Sequence, residues 1–373
     1  MRRFRGPLVF ALGFFALAAQ TLLFRDFLTA FEGNELAIAA FFASWFLWIA
    51  AGALIARCLP RLTRVFAPLT LLYIPAFIAE HYLILAARGL AGVATYDLFP
   101  FARMFAFSTL TNAPVSFLTG LFFTTACAWW KTAQDAPDAP LPRAQLPVAR
   151  VYAFETLGAA GGGLMITVLP LLEVSPHALF LITAAVLVTG VGFAAQSWAA
   201  RTLPNLACLA ALAAGAGNAW TARDARWSWS RLLPPESYRG RFMTAQAEYL
   251  YGEREGQFVV LSGGGTVENL PGAEQGAEIV ALTLAQRPDA EHILVLGTGA
   301  LSTCLQFLHV PQTASVTWLA PDPDYPARLR GIVPAPYREA IEKIRSPRAD
   351  ARRFLKETTD QFDLIVLQLP DAA

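Results

Sequence analysis

Seven stretches of the chain stay apolar for close to the roughly 20 residues that a helix needs to cross a bilayer. They run Leu8–Phe24, Leu36–Ala56, Phe66–Ala87, Phe105–Trp130, Val151–Leu172, Ala178–Gln196 and Leu203–Trp220, the last being short and rich in Ala and Gly. Beyond Trp220 the pattern changes to short runs. Gln257–Leu261 is apolar, Gly263–Gly265 is a turn, and Thr266–Leu270 reads as the returning strand of a hairpin. Ala273–Gln286 has helical periodicity, interrupted only by Gly276. His292–Leu296 is a buried strand, followed by the turn Gly297-Thr298-Gly299 and a helix through Leu308. Ser315–Ala320 is a second strand, Pro334–Arg345 and Asp350–Glu357 contain helices, and Asp363–Leu369 is a further apolar strand. Strands alternating with helices predict a parallel sheet with helical crossovers.

Composition fits this division. Hydrophobic residues are 55% of the 373 and charged residues only 15%, against roughly 25% charged in an average soluble protein. Disorder is thereby excluded, and an all-soluble fold is not expected. The net charge of +1 supplies no field for nucleic acid, so none is expected as a partner. Cys58, Cys127, Cys208 and Cys304 are scattered and form no CxxC, so neither a disulfide framework nor a metal site is expected.

Arg2, Arg3 and Arg5 precede the first apolar run as in a signal peptide, but no small-residue cleavage site follows, and a retained helix is expected. Loop charge sets the orientation. Arg57, Arg61 and Arg64, then Lys131, Arg143 and Arg150, share the side of the N-terminus, whereas the opposite loops carry Arg25, Arg88 and Arg103. The N-terminus is therefore expected in the cytoplasm. An odd number of spans leaves the tail outside, and losing the seventh would reverse that.

Gln20, Asn34, Glu35, Glu80, His81, Asn112 and Glu155 are polar positions within or beside apolar runs. An ionisable group in lipid is a functional candidate, the alternative being interhelical hydrogen bonding. Gly158 and Gly162 form a small-xxx-small pair suited to close helix packing. No internal repeat is evident. Lys131–Arg150 is a Pro- and Ala-rich loop, and Trp227 and Trp229, just past the last run, read as interfacial anchors. In the tail, Gly297-x-Gly299 after a strand places backbone N–H groups where an adenosyl or phosphate ligand would lie. The triplet Gly263–Gly265 leads into a strand rather than a helix and carries no such implication.

The order of strand, Gly297-x-Gly299, strand ending at Asp322-Pro323, Asp350-Ala-Arg-Arg-Phe-Leu355 and Phe362-Asp-Leu-Ile-Val-Leu-Gln-Leu-Pro-Asp371 resembles the spermidine synthase (polyamine aminopropyltransferase) family. Tyr249–Pro271 resembles that family's small N-terminal β domain. Gly13–Gln20, Gly33–Leu36, Ser44–Trp45 and Tyr152–Gly163 are similar to helices of its bacterial membrane-bound members. The resemblance implies a polytopic α-helical membrane domain of about seven spans (1–222), a linker and small β domain (223–285), and an incomplete Rossmann-like domain of class I methyltransferase type (286–373). It implies the bacterial inner membrane as location, decarboxylated S-adenosylmethionine as co-substrate, no metal, and Gly297, Gly299, Asp322 and Asp350 as its binding residues.

Departures from the family pattern weaken the catalytic reading. Ala300 stands where the glycine-rich loop has an aspartate, and Ala320 where an acid holds the ribose hydroxyls. Gln368 occupies the position of the general base, leaving Asp371 as the catalytic candidate. The stop at Ala373 leaves about three strands of a seven-stranded sheet unaccounted for. Either the coding sequence is truncated, or the sheet is completed by another polypeptide or by a homo-oligomer, with the lipid bilayer as the remaining partner. Three readings result: an impaired or inactive aminopropyltransferase, a non-catalytic membrane scaffold or ligand- or partner-binding pseudoenzyme, and a transporter with a regulatory tail, supported by Glu80, His81 and Glu155.

Overall fold

The structure is a computed structural model that describes residues 5–31, 35–93, 99–131, 146–195 and 198–368. Asn34, Arg2, Arg3, Arg143, Gln196, Leu369 and Asp371 lie outside the described residues. The chain forms two compact units, Met1–Asp224 and Ala225–Ala373.

The first unit is helical: α1 (Gly6–Ala30), α2 (Glu35–Cys58), α3 (Phe66–Leu69), α4 (Tyr73–Leu90), α5 (Phe101–Thr111), α6 (Ala113–Lys131), α7 (Leu146–Val168), α8 (Pro176–Ala195), α9 (Trp198–Ala213) and α10 (Ala216–Ser230), which continues into the second unit. Five helical segments are long and apolar enough to cross a membrane: Gly6–Ala30, Glu35–Cys58, Phe66–Leu90, Val148–Leu172 and Pro176–Ala195. The expectation of seven is not met among the described residues, and each difference has a local cause.

Phe105–Trp130 is not one helix. Pro114 has no N–H to donate and disfavours helical backbone at Ala113, so the run breaks between α5 and α6. At the break, the Asn112 side chain ties the chain to α2, and a carboxylate from α4 accepts a freed backbone N–H. Asn112 Nδ2 donates to the Phe41 carbonyl at 3.2 Å and to Ser44 Oγ at 2.7 Å, and the Val115 N–H donates to Glu80 Oε2 at 2.8 Å. Leu203–Trp220 also divides. Gly215 takes φ +73°, the left-handed conformation that ends many helices, and separates α9 from α10.

Close packing accounts for the glycines of the bundle. A β-carbon on Gly158 would overlap the Phe10 carbonyl oxygen, and one on Gly13 the Glu155 carbonyl oxygen, so α1 and α7 touch backbone to backbone. Gly52 and Gly120 serve α2 and α6 in the same way, against the carbonyls of Phe117 and Ile49. α1 is the most buried of the five segments and packs against α4, α7 and α8.

The second unit opens with a four-stranded antiparallel meander, β1 (Tyr238–Met243), β2 (Glu248–Arg254), β3 (Gln257–Ser262) and β4 (Gly265–Leu270). Gly263 and Gly264, at φ +58° and +78°, make the β3–β4 hairpin turn. Then follow α11 (Ala273–Leu284), β5 (His292–Gly297), α12 (Leu301–Leu308), β6 (Ser315–Leu319), α13 (Tyr325–Arg330), α14 (Ala335–Glu342), α15 (Ala351–Glu357) and β7 (Leu364–Gln368). The last three strands form a parallel sheet in the order β6–β5–β7, with Val295 opposite Trp318 on one side and Val366 on the other. Arg345 adds a single parallel bridge to Thr317 on β6. β5 is an unbroken apolar run because both its faces are covered. Ile293 and Val295 join a core with Phe258, Trp318 and Tyr325, while Leu294 and Leu296 pack with Leu319 and Phe354.

Trp229 corrects the expectation of an interfacial anchor. It is fully buried, packs with Ala225, Leu250, Val259 and Leu261, and donates to Ser237 Oγ at 2.9 Å. An indole buried with its N–H satisfied belongs to a soluble core.

Candidate functional site

The glycine turn after β5 is held by the chain's own backbone. A β-carbon on Gly299 would overlap the Val267 carbonyl oxygen of β4, and one on Gly297 the Gln368 carbonyl oxygen of β7. The N–H groups that open α12 have a partner as well. Leu301 N–H donates to Glu268 Oε2 at 3.1 Å and Ser302 N–H to Oε1 at 3.3 Å. Glu268 projects from β4 and is 1% exposed. Burial pushes its carboxyl up to about 8, against the opposing pull of the Leu301, Ser302 and Asn269 N–H groups.

The other predicted residues are engaged in structure. Asp322, just after β6, is buried, and its Oδ2 accepts from the Thr244 hydroxyl at 2.6 Å and the Tyr249 hydroxyl at 2.9 Å. Burial, helped by the Asp322 charge, pushes the Tyr249 phenol well above its ordinary range. Asp350 caps α15 by accepting the Arg353 N–H at 3.0 Å. Gln368 accepts from the Thr303 hydroxyl at 2.9 Å and donates to the Gly299 carbonyl at 3.3 Å. Ala300 and Ala320 are buried. The fold thus gathers Gly297, Gly299 and Gln368 about one turn. Glu268, which sequence reasoning passed over, fills that turn.

In the helical unit the polar positions separate into two kinds. Glu80 is fully buried and serves the broken α5–α6 segment through Val115, while Glu155 is half-buried and lines a small apolar pocket with Tyr73 and Thr119. His81 instead belongs to a buried network that the sequence did not reveal. Its Nδ1 lies 2.7 Å from Asp26 Oδ2 on α1, and its Nε2 lies 3.1 Å from Asp224 Oδ2 on α10. His177 Nε2 on α8 reaches the same Asp224 oxygen at 2.8 Å, with Nδ1 2.8 Å from Thr221 Oγ1. Tyr82 donates to Asp224 Oδ1 at 3.1 Å and accepts from Trp220 Nε1 at 2.9 Å and from the Arg223 guanidinium at 2.6 Å. The one available signal was that two of the chain's four histidines, His81 and His177, fall within or at the start of apolar helices.

The network fixes one feature of the bundle. Asp26 follows the start of α1 by 20 residues, about 30 Å at 1.5 Å per residue, and His177 is the second residue of α8. Asp224, the last residue of the first unit, therefore sits at the end of the bundle remote from the start of α1. No protein-family model, curated protein or solved structure matches this chain.

Proposed function

We propose that this chain is a multi-pass membrane protein of spermidine synthase-like type whose tail is a non-catalytic pseudoenzyme. The observation that carries this reading is the Glu268 carboxyl on the first N–H groups of α12. Directly after a strand and a glycine turn, those groups are the ones a nucleoside co-substrate would use.

Further features support it. The order β6–β5–β7, with the Arg345 bridge beyond β6, follows the chain order of a doubly wound α/β sheet, third–second–first–fourth. Within that framework Gln368 cannot take a proton from an incoming ammonium. Ala320 offers no carboxylate to ribose, a loss of two charge-assisted hydrogen bonds of about 1.5–3 kcal/mol each. Arg5, Arg57, Arg61, Arg64, Lys131 and Arg150 favour a cytoplasmic N-terminus in a bacterial inner membrane. With Asp224 at the opposite end of the bundle, the tail then leaves on the outer side, where a sulfonium nucleoside is not expected.

Calorimetry of the full chain in nanodiscs with decarboxylated S-adenosylmethionine tests the reading. No saturable binding and no putrescine-dependent turnover are expected, and micromolar affinity with turnover would overturn it. The double variant Ala320→Glu/Gln368→Asp is expected to stay inactive because Glu268 still fills the turn. Activity in that variant would trace the defect to the two missing acids alone.

A further inference from the structure

His81 and His177 aim the same ring nitrogen at one oxygen of Asp224, and the other nitrogen of each ring faces a second polar side chain. The Thr221 hydroxyl gives its single hydrogen to the Gly217 carbonyl at 2.9 Å. With that hydrogen on the Gly217 carbonyl, its oxygen accepts from His177 Nδ1 in the ring's Nδ1–H tautomer. Asp26 Oδ2 is placed to accept from His81 Nδ1 in the same tautomer. In their neutral forms both rings then present bare Nε2 lone pairs to Asp224 Oδ2, at 3.1 and 2.8 Å.

Three lone-pair atoms converging in this way need positive charge between them. Two protons would supply it, making both rings imidazolium beside Asp26 and Asp224. One divalent cation supplies the same total charge, and the four groups balance to zero in either case. The cation lets both rings stay neutral at sites only 6% and 9% exposed, where two buried organic cations are costly.

We propose that His81 Nε2, His177 Nε2 and Asp224 Oδ2 bind one divalent transition-metal ion of zinc type. Two imidazoles and a carboxylate suit zinc and leave a fourth position for water or a substrate atom. Donors about 2.0–2.1 Å from a tetrahedral zinc stand about 3.3 Å apart, against 3.1 and 2.8 Å for the two nitrogen–oxygen pairs here, and all three donor atoms lie within 4.8 Å of one another. The outer layer is in place. Asp26 and Thr221 hold the ring orientations through Nδ1, and Tyr82 holds the second Asp224 oxygen. The ligands come from α4, α8 and α10, so the ion ties three helices at one end of the bundle.

The full chain in nanodiscs, stripped with chelator and reloaded, is analysed for Zn2+ by mass spectrometry and for Co2+ by visible absorption. One ion per chain is expected, with the intense bands of four-coordinate Co2+ and a Zn2+-dependent rise in the unfolding temperature. Asp224→Asn and His177→Gln are expected to abolish stoichiometric loading, and Asp26→Asn to weaken affinity about 10–100-fold. Helicity and monodispersity serve as controls on each variant. A folded wild-type chain that holds neither ion and gains no thermal shift overturns the proposal. Unchanged loading in folded Asp224→Asn does the same, and if that variant does not fold the wild-type measurements decide alone.

Discussion

Glu268 and Asp350 show how a single carboxylate acquires its role from what lies opposite. Asp350 precedes its partner Arg353 by three residues, and that spacing before a helix is visible in the sequence as an N-cap. Glu268 meets Leu301, 33 residues later, and nothing in the strand pattern of Thr266–Leu270 marks it as unusual. Its titration offers a direct check. The buried carboxyl is raised from 4.5 to about 8, so between those values the folded state holds a proton that the unfolded state has released. The unfolding free energy then falls with pH across that window: the stabilisation is complete below the ordinary carboxylate pKa and lost as pH rises through about 8. In Glu268→Gln this slope is expected to vanish. Thermal unfolding followed by Trp fluorescence in both proteins across the window measures it, and parallel profiles would show that Glu268 stays ionised throughout.

At the scale of elements, hydrophobic runs predicted where helices lie better than where they stop. Apolar side chains at Phe105–Trp130 are continuous, but a helix depends on backbone hydrogen bonds, which Pro114 interrupts. The break is tolerable inside the bundle because Glu80 accepts the freed Val115 N–H and Asn112 ties the break to α2. The glycine pair on α7 was legible because small residues four apart share a face, although its partner helix was not. A larger side chain at Gly158 collides with the α1 backbone at Phe10, which cannot move aside alone. Gly158→Leu is expected to cost at least about 1–3 kcal/mol, as overpacking does, read as a lower unfolding temperature of the bundle in detergent. Gly161→Ala meets only ring atoms of Phe10 and Phe14 at 3.4 Å and beyond and is expected to be tolerated. Equal loss in both would point to helix flexibility rather than backbone contact.

For the whole molecule, the contact of Asp26, His81, His177 and Asp224 fixes which end of the bundle the chain leaves by, without a count of crossings. Cys58, exposed at the end of α2, lies toward the end where α1 begins. On the proposed orientation, which puts the N-terminus in the cytoplasm, Cys58 is expected to react with an impermeant maleimide only after permeabilisation, and a cysteine placed in the tail as Glu278→Cys to react in intact cells. The reverse pattern would invert the orientation. By itself the sequence determined that the chain divides into an apolar helical part and an α/β tail, and where most strands and helices of that tail run. Those features rest on side-chain periodicity, which is written in neighbouring residues. Only the tertiary structure decided that Glu268 fills the glycine turn, that Trp229 enters a core, and that two histidines meet one aspartate 143 and 47 residues away. Such meetings depend on how helices and sheets pack, and packing is set by many contacts together rather than by any local pattern.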